Sequence, residues 1–203
     1  PHSGSLSVLW EQILATSALE WFGTATGLAG VALSIRQHQA AWPMFIACYV
    51  AYTWIGTEAD LLATAAMNAI FVILSIEGWR AWKAGETDDD AVLVRPSPKG
   101  LWVTSFAAWL GIAAAISTLL TLSGRADSTW LEATATAGAF VAQFLLTRKL
   151  IATWAFWLLS DLAFMVVYGV TGYWVTVGLF AVFTVLAVQG WRTWHRATKA
   201  VGP

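Results

Sequence analysis

One three-helix unit occurs twice in this chain, in a single register. Residues 19–83 align without a gap on residues 131–195 at a constant offset of 112 positions, and 17 of the 65 pairs are identical. Leu19-Glu20 falls on Leu131-Glu132, Arg36 on Arg148, Trp42 on Trp154, and Gly78-Trp79-Arg80-x-Trp82 on Gly190-Trp191-Arg192-x-Trp194. An ordered G-W-R-x-W ending is not what chance matching of a chain rich in Ala, Leu and Thr produces. Duplication of this kind commits the chain to two like halves about an axis. In membrane proteins that plan is the usual one for transporters, with the site where the repeats meet.

The bilayer is implied by composition. The chain is 58% hydrophobic and only 11% charged, with a mean hydropathy of +0.65, against about 25% charged residues in soluble domains. Stretches long enough to cross the hydrocarbon core, about 17–25 residues each, fall near 18–36, 41–57, 61–80, 101–122, 131–147, 151–169 and 172–191. Seven spans leave little chain for any separate domain. Pro43 sits where a first-turn proline is tolerated. Residues 6–17 read as an amphipathic lead-in, and residues 1–5, with no initial Met, are set aside.

Lysines and arginines set the orientation. With seven spans, Arg36, Arg80, Lys83, Arg95, Lys99, Arg148, Lys149, Arg192, Arg196 and Lys199 all lie on one side, and Arg125 alone on the other. Positive charge marks the cytoplasmic side, which puts the amino terminus outside and the carboxyl terminus inside. The span count is tested by the same pattern, because one missed or invented helix would scramble it.

The fold class expected is therefore an all-α integral membrane protein with seven helices as 3+1+3 parallel repeats. Residues 1–17 form the tail and lead-in, 18–83 the first repeat, 84–100 a cytoplasmic linker, 101–122 a linker helix, 131–195 the second repeat and 196–203 a tail. A three-span unit ends on the opposite side from where it starts, so residues 101–122 supply an extra crossing that makes the two repeats parallel. The linker holds Asp88-Asp89-Asp90, Pro96 and Pro98 and reads as a solvated loop.

Few polar side chains lie deep. A mid-membrane Asp costs about 2.5–3.5 kcal/mol on insertion scales, and Asp161 sits halfway along the sixth span. Trp154, Trp157 and Asp161, at i, i+3 and i+7, share a helix face. The 112-position shift gives Trp42, Phe45 and Tyr49 as the matching face, with Tyr52 a turn further on. Two aromatic faces about one carboxylate would suit a flat cationic or heteroaromatic ligand, through stacking and cation–π attraction. Trp42 and Trp154 also suit interfacial anchoring, and Asp161 also suits a structural partnership. Asn68 and Gln143 are the other deep polar groups. Their repeat counterparts, Phe180 and Val31, are apolar, so they break the symmetry as an asymmetric ligand requires, or else join helices.

Other features have structural readings. Glu20 and Glu132 suit the first turn of their helices. Trp79, Trp82, Trp191 and Trp194, with Arg80 and Arg192, read first as an interfacial belt and second as a gate. Gly23, Gly27 and Gly30 permit close helix approach. His2, His38 and His195 lie in flanks or loops and Cys48 is the single cysteine, so no metal-ligand set or disulfide is expected. No phosphate-binding G-x-x-x-x-G-K-[ST] motif occurs. Residues 172–191 lack the lysine that a retinal Schiff base needs. No cofactor and no enzymatic activity are expected.

In L-E-W-F-G-T-A-T-G-L-A-G at 19–30, W-P at 42–43, L-S-I-E-G-W-R-A-W at 74–82, T-R-K-L-I-A-T-W-A-F-W-L-L-S-D at 147–161 and G-W-R-T-W at 190–194, the chain resembles the nicotinamide riboside transporter (PnuC) family. The resemblance covers most of 19–196. It implies a 3+1+3 fold related to the sugar-transporting SWEET proteins, facilitated vitamin uptake across the bacterial inner membrane, a homotrimer, and a cytoplasmic vitamin kinase that traps the cargo. It also implies ligand contacts from Asn68, Trp154, Trp157 and Asp161. Where the family often has Asn, this chain has Cys48 and Asp161.

An acid in place of an amide favours a cation, so nicotinamide riboside is the expected cargo, thiamine the alternative and neutral riboflavin third. The expected site is Asn68, Gln143, Trp154, Trp157, Asp161, Trp42, Tyr49 and Tyr52. The expected partners are a small-molecule vitamin and the lipid bilayer, with no nucleic acid. A receptor or scaffold that moves nothing is the competing class.

Overall fold

A computed structural model describes residues 3–59, 61–87, 94–122 and 129–200. These residues form eight helices: α1 Ser3–Ala15, α2 Ala18–Ile35, α3 Ala41–Glu58, α4 Leu62–Thr87, α5 Lys99–Leu122, α6 Thr129–Thr147, α7 Ala152–Val170 and α8 Trp174–Ala200. Asp88-Asp89-Asp90 and Arg125 lie outside the described residues. The lead-in is α1, and each expected span lies within one later helix, apart from a residue or two at some ends. The helices α4 and α8 run well past the expected ends at 80 and 191. Their G-W-R-x-W segments keep helical geometry through charged turns, so hydropathy ends before the helix does.

Four of these helices are long and apolar enough to cross a membrane on length and composition, within Ala18–Ile35, Lys99–Leu122, Ala152–Val170 and Trp174–Lys199. The helices α3, α4 and α6 pack against other helices. The helix α6 touches α4, α5 and α7, and α3 touches α2 and α4. Ala133, Ala135, Ala137, Ala139 and Ala142 of α6 are all buried, which gives a helix fitted to protein neighbours instead of lipid.

Contacts sort the helices into two triplets, α2-α3-α4 and α6-α7-α8, each with its middle helix between the other two. The triplets meet where α4 packs on α6 and α2 on α8, while α5 packs on α6. On the outward side of α5, Val103, Leu119 and Leu122 are 66–80% exposed, as expected of a lipid-facing surface.

The duplication is visible in the backbone. Gln37 and Lys149, 112 positions apart, both have positive φ, 57° and 50°. Around the first, Gln37 N–H donates to Ser34 O and His38 N–H to Leu33 O; around the second, Lys149 N–H donates to Leu146 O and Leu150 N–H to Leu145 O. Both are left-handed helix ends that satisfy carbonyls of the last turn. At the other end of α2, Ser17 and Glu20 form a capping box: the Ser17 Oγ accepts from Glu20 N–H, and the Glu20 carboxylate accepts from Ser17 N–H at 2.6 Å. Glu132 sits in the first turn of α6.

Within each triplet the first two helices approach closely. Tyr52, Cys48 and Phe45 of α3 lie against Gly23, Gly27 and Gly30 of α2. In the second triplet, Thr153 and Ser160 of α7 donate to Ala142 O and Ala135 O of α6, both at 2.7 Å. A short strap leads into α5. Arg95 N–H donates to Lys149 O and Ile151 N–H to Arg95 O, and Ala152 N–H donates to Ser97 Oγ, pinning the α6–α7 turn.

Candidate functional site

Near the C-terminal ends of α2, α4, α6 and α8 the repeats build a matched pair of aromatic joints. The Trp42 indole lies on Gly78 and the Trp154 indole on Gly190, so closely that a Cβ at either glycine would collide with the ring. Trp42 meets Trp82 edge-on at 5.2 Å and 90°, and Trp154 meets Trp194 at 5.2 Å and 86°. All four are at most 1% exposed and belong to one core cluster. Glycine at i and tryptophan at i+4 share a helix face, so Gly78/Trp82 and Gly190/Trp194 each form a notch that holds one indole of the neighbouring helix.

This arrangement corrects the belt reading. Trp79 is 41% exposed and fits an interfacial position, but Trp82 and Trp194 are core residues. Their ring nitrogens cross to the opposite triplet: Trp82 Nε1 donates to Leu146 O at 3.2 Å and Trp194 Nε1 to Ile35 O at 3.1 Å. The sequence signal for this is the glycine four residues before each tryptophan. By contrast, the indole N–H groups of Trp42 and Trp154 are buried with no hydrogen-bond partner.

A second set of groups lies deeper along the helices. Gln143 is fully buried and donates from Nε2 to Ser75 Oγ at 3.1 Å, and that hydroxyl donates in turn to Phe71 O. The link joins α6 to α4, across the triplets. Gln143 Oε1 is buried and accepts no hydrogen bond. Asn68 is buried on α4 and donates to Thr64 O at 2.9 Å. Ser75, whose counterpart is Ala187, escapes sequence reasoning because a lone mid-span serine is commonplace.

Asp161 is 3% exposed. Ser160, bonded to Ala135 O, fixes its stretch of α7 against α6. Among the described residues no ion pair or hydrogen bond engages the Asp161 carboxylate. An unpaired buried carboxylate costs several kcal/mol, a cost that a cation against it offsets.

A stacked series of rings, Phe45–Tyr49–Phe71–Phe140, crosses from α3 through α4 to α6 with centroids 6.2, 4.8 and 4.6 Å apart. It carries π surface across the seam between triplets. Trp157 is half-buried and packs against both core clusters. Tyr52 is turned to α2, its hydroxyl 3.0 Å from Thr24 Oγ1. Of the expected set, the structure gathers Trp42, Trp154, Tyr49 and Trp157 about one cluster, ties Gln143 to the seam, and directs Tyr52 into its own triplet.

The model of the family described as "Nicotinamide mononucleotide transporter" matches residues 17–196. Among solved structures, one titled "Crystal structure of the Vitamin B3 transporter PnuC" superposes with a TM-score of 0.75 at 16% sequence identity, covering 97% of this chain and 90% of that one. At that identity the likeness speaks to the fold, while the family match spans nearly the whole chain. The chain belongs to the nicotinamide mononucleotide transporter family and is a multi-pass membrane transporter.

Proposed function

We propose that this protein carries nicotinamide riboside, or a closely similar cationic vitamin, down its gradient across the bacterial inner membrane. The observation that carries this reading is the buried Asp161, whose carboxylate has no partner among the described residues. The family's name mentions a nucleotide, yet all 11 Lys and Arg flank the apolar stretches. A phosphate at the depth of Asp161 would meet an acid and no base, so a nucleoside fits this site where a nucleotide does not. Asp161 and Trp157, with Tyr49 from the matching face, would hold the aromatic cation, while Trp42 and Trp154, locked in their glycine notches, would hold the helices that carry them. Gln143, with a free acceptor, and Asn68 would take the hydroxyl-bearing part. Tyr52 would close the outer end of its triplet.

In this reading the helices α2 to α8 are seven spans arranged 3+1+3. The amino terminus is outside, α5 makes the halves parallel, and rocking of the triplets alternates access. The charge pattern supports the orientation. A homotrimer burying part of the apolar α5 surface, and a cytoplasmic kinase that traps the cargo, complete the proposal.

Thiamine is the second reading, favoured by the same acid because it too is a cation. Uptake of labelled nicotinamide riboside and thiamine into proteoliposomes without an ion gradient tests both. Saturable entry of either supports a carrier. Ligand binding with no entry would leave a receptor.

A further inference from the structure

We propose that Trp82 and Trp194 are paired latches that hold the cationic ends of the two triplets together, and that this end opens by releasing both. The inference rests on the transport reading above. Trp82, near the end of the first triplet, donates to the carbonyl of Leu146 in the second, and Trp194 of the second donates to Ile35 of the first. The two bonds run in opposite directions across the seam from matched donors, with acceptors one residue out of register in the repeat. Both acceptors lie in the last turn of a helix, where carbonyls need partners from outside the regular helix. Leu146 O accepts from Lys149 N–H as well as from Trp82.

The acceptors sit one and two residues before Arg36 and Arg148, and the donors two residues after Arg80 and Arg192, so the latches mark the end where the cations gather. A bond from one half to the backbone of the other cannot survive separation of the halves at that end. Beyond that bond, both indoles are held by aromatic edge contact and packing in the core cluster. The two latches differ in reinforcement. The Lys149 Nζ stands 4.6 Å from the centroid of the Trp82 ring, and Val94 of the strap is buried in the same cluster. The Trp82 side is accordingly the stiffer one, and the Trp194 side the first to part.

The test measures the distance between the triplets directly. The full chain carries spin labels on Arg80→Cys and Arg192→Cys, in a Cys48→Ser background, in lipid nanodiscs, with pulsed electron–electron distance measurement. Trp82→Phe and Trp194→Phe keep an aromatic ring and remove the N–H. A neutral hydrogen bond of ordinary strength sets the expected effect: the ratio of long-distance to short-distance molecules rises about fivefold for each change and about 25-fold for both. A double variant that does not fold is replaced by one with β-(3-benzothienyl)alanine at both positions, which keeps the bicyclic ring and exchanges N–H for sulfur. An unchanged distance distribution in the folded double variant overturns the latch. Failure of the labelled parent to move any vitamin would overturn the cargo reading and leave this distance result to decide the latch by itself.

Discussion

The side-chain amide of Gln143 donates to the hydroxyl of Ser75 across 3.1 Å, joining a helix of one triplet to a helix of the other at a depth where both residues are fully buried. The Ser75 hydroxyl passes its own proton to Phe71 O, so the chain of donors has one direction. Gln143 contributes the donor, and its carbonyl oxygen remains without one.

Ser75→Ala, which installs the residue found at the matching position 187, leaves a buried amide with two unmet groups. A loss of about 1–3 kcal/mol follows, read as a lower melting temperature. Ser75→Ala combined with Gln143→Leu recovers part of it, because two apolar partners leave nothing unsatisfied. A double variant less stable than Ser75→Ala alone would show that Gln143 is held elsewhere.

Gly78→Ala and Gly190→Ala each drive a methyl into an indole, of Trp42 and Trp154 respectively. Overpacking of this kind costs about 1–3 kcal/mol. Gly111→Ala, with open space at its Cβ position, serves as the control and is neutral or stabilising by up to about 1 kcal/mol. Thermal melts in detergent compare the three.

The Gln12 side chain ties the lead-in helix to the α7–α8 turn. Gln12 Nε2 donates to Gly172 O at 2.8 Å, and Gln12 Oε1 accepts from Val175 N–H at 3.2 Å. Gln12→Leu releases the α7–α8 turn from α1, and hydrogen exchange at Val175 quickens about fivefold or more. Exchange at the parent rate would mean that the turn holds its shape without α1.

Much of this architecture is legible in the primary structure, and the failures share a cause. The 112-position repeat foretells the twin turns at Gln37 and Lys149 and the twin joints at Trp42 and Trp154, because equal sequence in equal context folds alike. The capping role of Glu20 follows from helix electrostatics alone. Hydropathy misses the ends of α4 and α8, since apolar content marks the lipid boundary and not the last helical hydrogen bond. Trp82 and Trp194 pass for lipid anchors because an interfacial tryptophan and a core tryptophan beside a glycine notch look alike until the partner helix is placed. The cross-triplet partner of Gln143 is invisible for a similar reason: hydroxyls are common along every span, and only packing selects Ser75.

Trp157 is the half-buried member of the tryptophan pair on α7, while Trp154 is locked in its notch. Trp157→Ala therefore weakens vitamin binding by about 5–30-fold through lost cation–π and stacking contact, with a modest loss of stability. Trp154→Ala unfolds or severely destabilises the protein, because burial of so large a ring is worth about 3–5 kcal/mol. Calorimetric binding and thermal melts separate the two effects. Equal stability losses would place both rings in the same structural role.

The proposal that Asp161 receives the positive charge of the cargo is tested most directly by binding two forms of one ligand. Purified protein and its Asp161→Asn variant are titrated with nicotinamide riboside, a cation, and with its reduced dihydro form, which has nearly the same shape and no ring charge. The account predicts that Asp161→Asn weakens the cation by about tenfold or more and leaves the neutral form within about twofold. Equal affinities of parent and variant for the cation, or equal losses for both forms, would contradict it.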